Sequence, residues 1–141
     1  MNEISAAIYT QLKAGTALCA MLYGGTATGT ADIYEDHARD DRGFPFVVLN
    51  HQSGQWSYAL DGARFGSFLY LVKAVSSEPY PRQAQLIDKQ IDARLHNAAL
   101  SISGYHELRV VRESDVRFSE IEGEQQFWHV GALYRVEVQK T

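Results

Sequence analysis

From Phe127 to Gln139 the chain alternates its side chains: Val130, Ala132, Tyr134, Val136 and Val138 fall on one side, Gly131, Leu133, Arg135 and Glu137 on the other. A period of two sits stably only as a strand with one buried face. This segment therefore obliges the remaining chain to supply a sheet around it and a layer over its inner side. Glu107 to Ser119, with Leu108, Val110 and Val111, is the neighbouring strand. Glu120-Ile121-Glu122-Gly123-Glu124 reads as the turn that makes the two a hairpin. The covering layer is a helix over Arg82 to Asn97. Ala84, Ile87, Ile91, Leu95 and Ala98 form one stripe on it, while Arg82, Asp88, Lys89, Asp92 and Arg94 occupy other positions.

Upstream, Ile4, Ala7, Ile8 and Leu12 recur at helical spacing from Asn2 to Ala14. Gly15 is expected to end that helix in the left-handed conformation, and Thr16 to cap a short second helix through Leu18, Met21 and Leu22. Gly24 to Gly29 is a connecting loop; it lacks the Gly-Lys-Ser/Thr and the preceding strand of a phosphate loop. Ala31 to Tyr34 is a short strand, and Glu35 to Gly43 a solvated run of mixed charge. Phe44 to Gln55 is a strand with Pro45 near its start, where a strand tolerates proline. Asp61-Gly62 signals a hairpin into Phe65 to Val75, whose apolar residues on both faces suggest a central strand covered on both sides. The order helix, helix, three strands, helix, two strands is α+β. The expectation is a mostly antiparallel sheet with one long packed helix and N-terminal helices, in a single domain over residues 1–141.

Chemistry is sparse. The 141 residues carry a formal net charge of -4, which offers no global field for nucleic acid, and no direct sequence-specific nucleic-acid contact is expected. The single Cys19 can form no intrachain disulfide and reads as a small buried hydrophobe. The five histidines, His37, His51, His96, His106 and His129, lack ligand spacing. His37 beside Asp36 and Asp40 is the best of them, yet no metal is expected. No Gly-x-Ser-x-Gly is present, and the Asp40-Asp41 pair and the Glu120, Glu122, Glu124 group read as wet acids. The expectation is no enzyme, no catalytic residue and no cofactor. Met1-Asn2-Glu3 lacks a basic leader and no apolar run is long enough to span a membrane, so a soluble cytoplasmic product without a membrane partner is expected.

The surface is more informative. Trp56 and Tyr58 lie near the end of the second strand beside Arg64, and Trp, Tyr and Arg are over-represented where proteins meet. Arg39 and Arg42 sit among acids in the charged loop and suit a salt-sensitive contact. These five are the candidate protein-contact residues.

The block Ile33-Tyr34, then Phe44-Pro45-Phe46-Val47-Val48-Leu49, together with the strand-helix unit from Leu69 to Leu95 and the closing hairpin, resembles the tail-completion proteins of bacteriophages and prophages. The likeness of pattern runs from Ile4 to Val138. It implies a non-enzymatic structural role at the neck or tail end, as tail terminator or head-tail joining protein. It further implies a ring of copies of this chain, often hexameric, with tail tube or head connector proteins as partners, in a virion assembled in the host bacterial cytoplasm. The alternatives are a small-ligand-binding module, or an adaptor using Trp56 and Tyr58.

Overall fold

The structure, a computed structural model, describes residues 2–25, 32–38 and 43–141. Its elements are α1 (Glu3–Lys13), α2 (Thr16–Met21), β1 (Ile33–Glu35), β2 (Phe46–Tyr58), β3 (Arg64–Ser76), α3 (Arg82–Leu95), β4 (Tyr105–Glu122) and β5 (Gln125–Lys140). One five-stranded sheet has the order β1-β2-β3-β5-β4. β2, β3, β5 and β4 pair antiparallel, but β1 runs parallel to β2 with Ile33 opposite Val47. The sheet is therefore mixed. The helix layer comprises three helices, α3 with 14 residues and α1 with 11, and the class is α+β.

Local chemistry accounts for the helices. Asn2 caps α1 by accepting from the Ser5 N–H at 2.8 Å, and Glu3 and Lys13 sit at the ends that the helix dipole favours. Ile4, Ala7, Ile8 and Leu12 are its buried stripe. Gly15 does not adopt the left-handed conformation; its φ is -80°. It is needed for space instead, since a Cβ there would lie 2.9 Å from Arg94 Cδ. Arg94 donates to the Gln11 carbonyl through Nε at 3.1 Å and Nη2 at 3.0 Å, which ties α3 to α1. Thr16 is not a cap either: Gly15 is the N-cap residue of α2 and gives no side-chain bond.

The core lies between the helices and one face of the sheet. Val47, Leu49, Tyr70, Val72, Ala132, Tyr134, Val136 and Val138 meet Ile87, Ile91 and Leu95, all fully buried. Each large apolar side chain so placed contributes about 1.5–3 kcal/mol. Cys19 is buried there too. Among the described residues the opposite face carries a smaller cluster, Phe46, Val48, Val75 and Phe127 with Tyr34, Ala38 and Phe44 around it. Leu69 and Leu71 beyond it are half-buried. β3 is thus not covered on both sides along its length, because its second apolar row meets solvent once that small cluster ends.

The hairpin turns also differ from expectation in detail. The β2–β3 loop has five residues, Ala59 to Ala63, with Gly62 at φ 90° and the Ala63 N–H donating to Asp61 Oδ1. β4 runs on to Glu122, so Glu120 to Glu122 are strand rather than turn. Only Gly123 and Glu124 connect to β5, with Gly123 at φ 65° in the place a II′ turn gives to glycine.

Lengths position the exposed surface. Thirteen to eighteen residues of strand extend roughly 43–59 Å at about 3.3 Å per residue, whereas the 14 residues of α3 cover about 21 Å. The sheet outruns its cover, and both of its ends protrude.

Candidate protein-contact site

β2 emerges from the core after Asn50, at a register shift between His51 and Ser53. From there the helix-side face of the β2–β3 hairpin is built of rings laid on glycine. Gly54 pairs with Phe68, Trp56 with Gly66, and Tyr58 with Arg64. A Cβ on Gly54 would stand 2.6 Å from the Phe68 ring, and one on Gly66 would stand 2.4 Å from it. Neither strand could hold Phe68 flat if these two positions carried side chains. Phe68 in turn meets Trp56 edge-on with centroids 5.2 Å apart, and Trp56 stacks at 6.2 Å on Tyr105 from β4.

Arg64 completes the shelf. Its guanidinium carbon lies 4.8 Å from the Trp56 ring centroid and 5.5 Å from that of Tyr58. Such contacts are worth about 0.5–1 kcal/mol when exposed and more when desolvated, so covering the shelf would strengthen them. Arg64 Nε is shielded from solvent and has no hydrogen-bond partner among the described residues. Glu107, in the same cross-strand row as Trp56, has its carboxyl pushed above the usual range by burial. Tyr58 remains 67% exposed and Leu60, in the loop, fully so.

Three of the five residues marked in the sequence, Trp56, Tyr58 and Arg64, are therefore brought together. Arg39 and Arg42 lie outside the described residues, as do Asp40, Asp41 and most of the Gly24 to Gly29 loop. Phe68 and Tyr105 were missed as shelf residues. The signal that could have found Phe68 is the pair Gly54 and Gly66, placed where a strand should carry bulk. Trp128 is half-buried against the core and donates from Nε1 to the Pro79 carbonyl at 3.1 Å.

Two polar clusters lie elsewhere. Arg112 of β4 grips Asp88 of α3 with both terminal nitrogens, at 3.1 and 2.9 Å, and reaches Asp115 through Nε at 2.8 Å. It also donates to the Tyr134 hydroxyl, which donates onward to Asp92. The Asp88 bonds hold the guanidinium pKa above its ordinary value, and burial raises that of Tyr134. On the far face His129 stacks on Phe118 at 4.4 Å, with Nε2 at 3.7 Å from Glu120 and Lys73 over the same Phe118 ring. Burial first, then Lys73, lowers the His129 pKa. Beside it is an open hollow of about 290 Å³ lined in part by Asp36, His37 and Asn50. Among the described residues no group of three His, Cys, Asp or Glu is placed to hold a metal ion, and no helix is long and apolar enough to cross a membrane.

The model of the tail completion protein gp17 family matches residues 6–139. The chain belongs to that family. A chain from the virion of a native gene transfer agent particle has the same fold, with a TM-score of 0.68 at 16% identity, over 97% of this chain and 95% of that one. No curated protein matches significantly. Membership of the tail completion family makes this chain a structural component of a phage-like tail.

Proposed function

We propose that this chain completes the tail of a phage or prophage particle, acting at the neck or tail end as a tail terminator or head-tail joining ring. The family match across residues 6–139 carries the reading. In this reading the chain is one domain without catalytic residues, works in contact with copies of itself and with tail tube or head connector proteins, and joins the particle in the host bacterial cytoplasm. Two features support it. The helix layer is shorter than the sheet, and exposed large apolar residues lie near the sheet's ends, with Tyr58 and Leu60 at one and Ile121 at the other. A ring subunit needs two unlike surfaces on one rigid body.

The test is deletion of the gene from the phage or prophage, with electron microscopy of the particles. Tails of uncontrolled length mark a terminator, and finished tails beside unattached heads mark a joiner. Normal infectious particles lacking the protein would refute both.

A further inference from the structure

The two bare ends of the sheet differ in chemistry, and the difference is complementary. β3 pairs with β5 only as far as Ser76 opposite Trp128. Past that row β4 and β5 continue alone, from Glu120 opposite Phe127 to Glu122 opposite Gln125. This two-stranded ribbon presents Ile121, 74% exposed, on one face with Glu120 and Glu122 on the other, and its turn adds Glu124. Isolated two-stranded ribbons are marginal in water, and Ile121 leaves most of its surface uncovered by its own chain. At the opposite end of the same sheet stands the aromatic shelf, with the Arg64 guanidinium over Trp56 and Tyr58. About 13 residues of β5, roughly 43 Å, separate the two, so one chain cannot satisfy both by folding on itself.

We infer that the acidic ribbon tip of one copy docks on the Trp56–Tyr58–Arg64 shelf of the next. Ile121 covers the rings and the Glu124 carboxylate at the turn meets Arg64. The occupant is a second copy because this chain itself carries the opposite charge beside an exposed apolar residue, at the end a neighbour would offer. Of the acids near the shelf, Glu107 is half-buried in the row beneath Trp56 and Asp61 accepts from the Ala63 N–H within the hairpin loop, whereas Arg64 reaches over the rings. The contact is head-to-tail, so it propagates until it closes. This inference rests on the tail-completion reading and names the surface by which subunits would join.

The test uses the full chain in sedimentation velocity across a concentration series, with thermal melting to verify folding. Wild-type chain is expected to form species larger than a dimer. Arg64→Glu, which blocks the shelf, and Ile121→Asp, which blocks the tip, should each weaken association at least about tenfold. An equimolar mixture of the two retains one good shelf and one good tip, and should stop at a 1:1 dimer. The charge swap Arg64→Glu with Glu124→Lys in one chain should restore larger species. Unchanged assembly by either single variant, a mixture that stays monomeric, or a wild-type chain that never associates would each overturn this contact. An Arg64→Glu chain that still self-associates but is lost from tails would also overturn it, and would assign the shelf to another tail protein. None of these results touches the tail-completion reading, which the deletion experiment decides separately.

Discussion

Replacing Arg112 with methionine should cost this protein about 2–4 kcal/mol. Arg112 sits on the edge strand β4 with its side chain 21% exposed, and its main partner Asp88 on α3 is 13% exposed. At 2.9 Å and an effective dielectric near 20, the attraction is about 6 kcal/mol, much of which desolvation offsets on folding. Methionine keeps the stem's packing but leaves the Asp88 carboxylate shielded and without its cation, and removes the donor that orients Tyr134 toward Asp92. The cost comes from that stranded acid rather than from lost surface pairing, since Asp115 is 81% exposed. For a chain of 141 residues the loss corresponds to roughly 7–14 °C in Tm. Urea unfolding followed by far-UV circular dichroism would measure it, beside Asp88→Asn and the double variant. Removing both partners should cost about 1–2 kcal/mol less than the sum of the single losses. Additive losses, or an Arg112→Met loss under about 1 kcal/mol, would refute the stranded-acid argument.

Tyr134→Phe should cost about 1 kcal/mol by the same melts, because only the bridging hydroxyl between Arg112 and Asp92 goes. Gly131→Ala should cost about 1–3 kcal/mol or more: its Cβ would stand 2.2 Å from the Val72 carbonyl oxygen, so β3 backbone must move. The folded-state pKa of His129 is lowered, so the unfolded chain binds a proton there first. Stability should therefore hold above the unfolded value near 6.5 and fall as pH drops from it toward the folded value; urea midpoints across that window should decline less steeply in His129→Gln.

Much of this architecture is legible from local periodicity. The alternation through Tyr134, Val136 and Val138 places β5 with its buried side correct, and the stripe Ala84, Ile87, Ile91, Leu95 places α3. Non-local features are the ones hidden. Pairing of Ile33 with Val47 is parallel, and no residue in β1 encodes that. Leu69 and Leu71 look like core because they are apolar, yet no helix crosses their face. Asp88 and Asp92 read as solvent-side charge, although two acids four apart on one helix repel and so hint at a cation opposite. Trp56, Tyr58 and Arg64 could be marked by type, but their stacking depends on Gly54 and Gly66, whose role appears only once β2 and β3 are in register.

The guarding of β4 explains why assembly would proceed through the ends of the sheet. An edge strand of 18 residues would ordinarily invite another strand to pair with it. Here Asn97, held at φ 58°, donates its N–H to the Val110 carbonyl, and the Arg112 N–H donates to His96 Nδ1 at 3.1 Å. The middle of the edge is thus spoken for by the segment following α3. Register shifts interrupt the ladder between Glu107 and Arg109 and again between Arg112 and Ser114, and Glu113, Asp115 and Arg117 place charge along the next stretch. At the other edge, the three residues of β1 cover only Val47 to Leu49 of β2, and the rest of that strand is interrupted by the register shift between His51 and Ser53. With the middle of the β4 edge occupied, the shelf at one end of the sheet and the ribbon tip at the other stay exposed. Arg112 serves both arguments: the residue that pins β4 to α3 also fixes the line along which that ribbon projects. Loosening it should therefore impair assembly at temperatures where the chain is still folded.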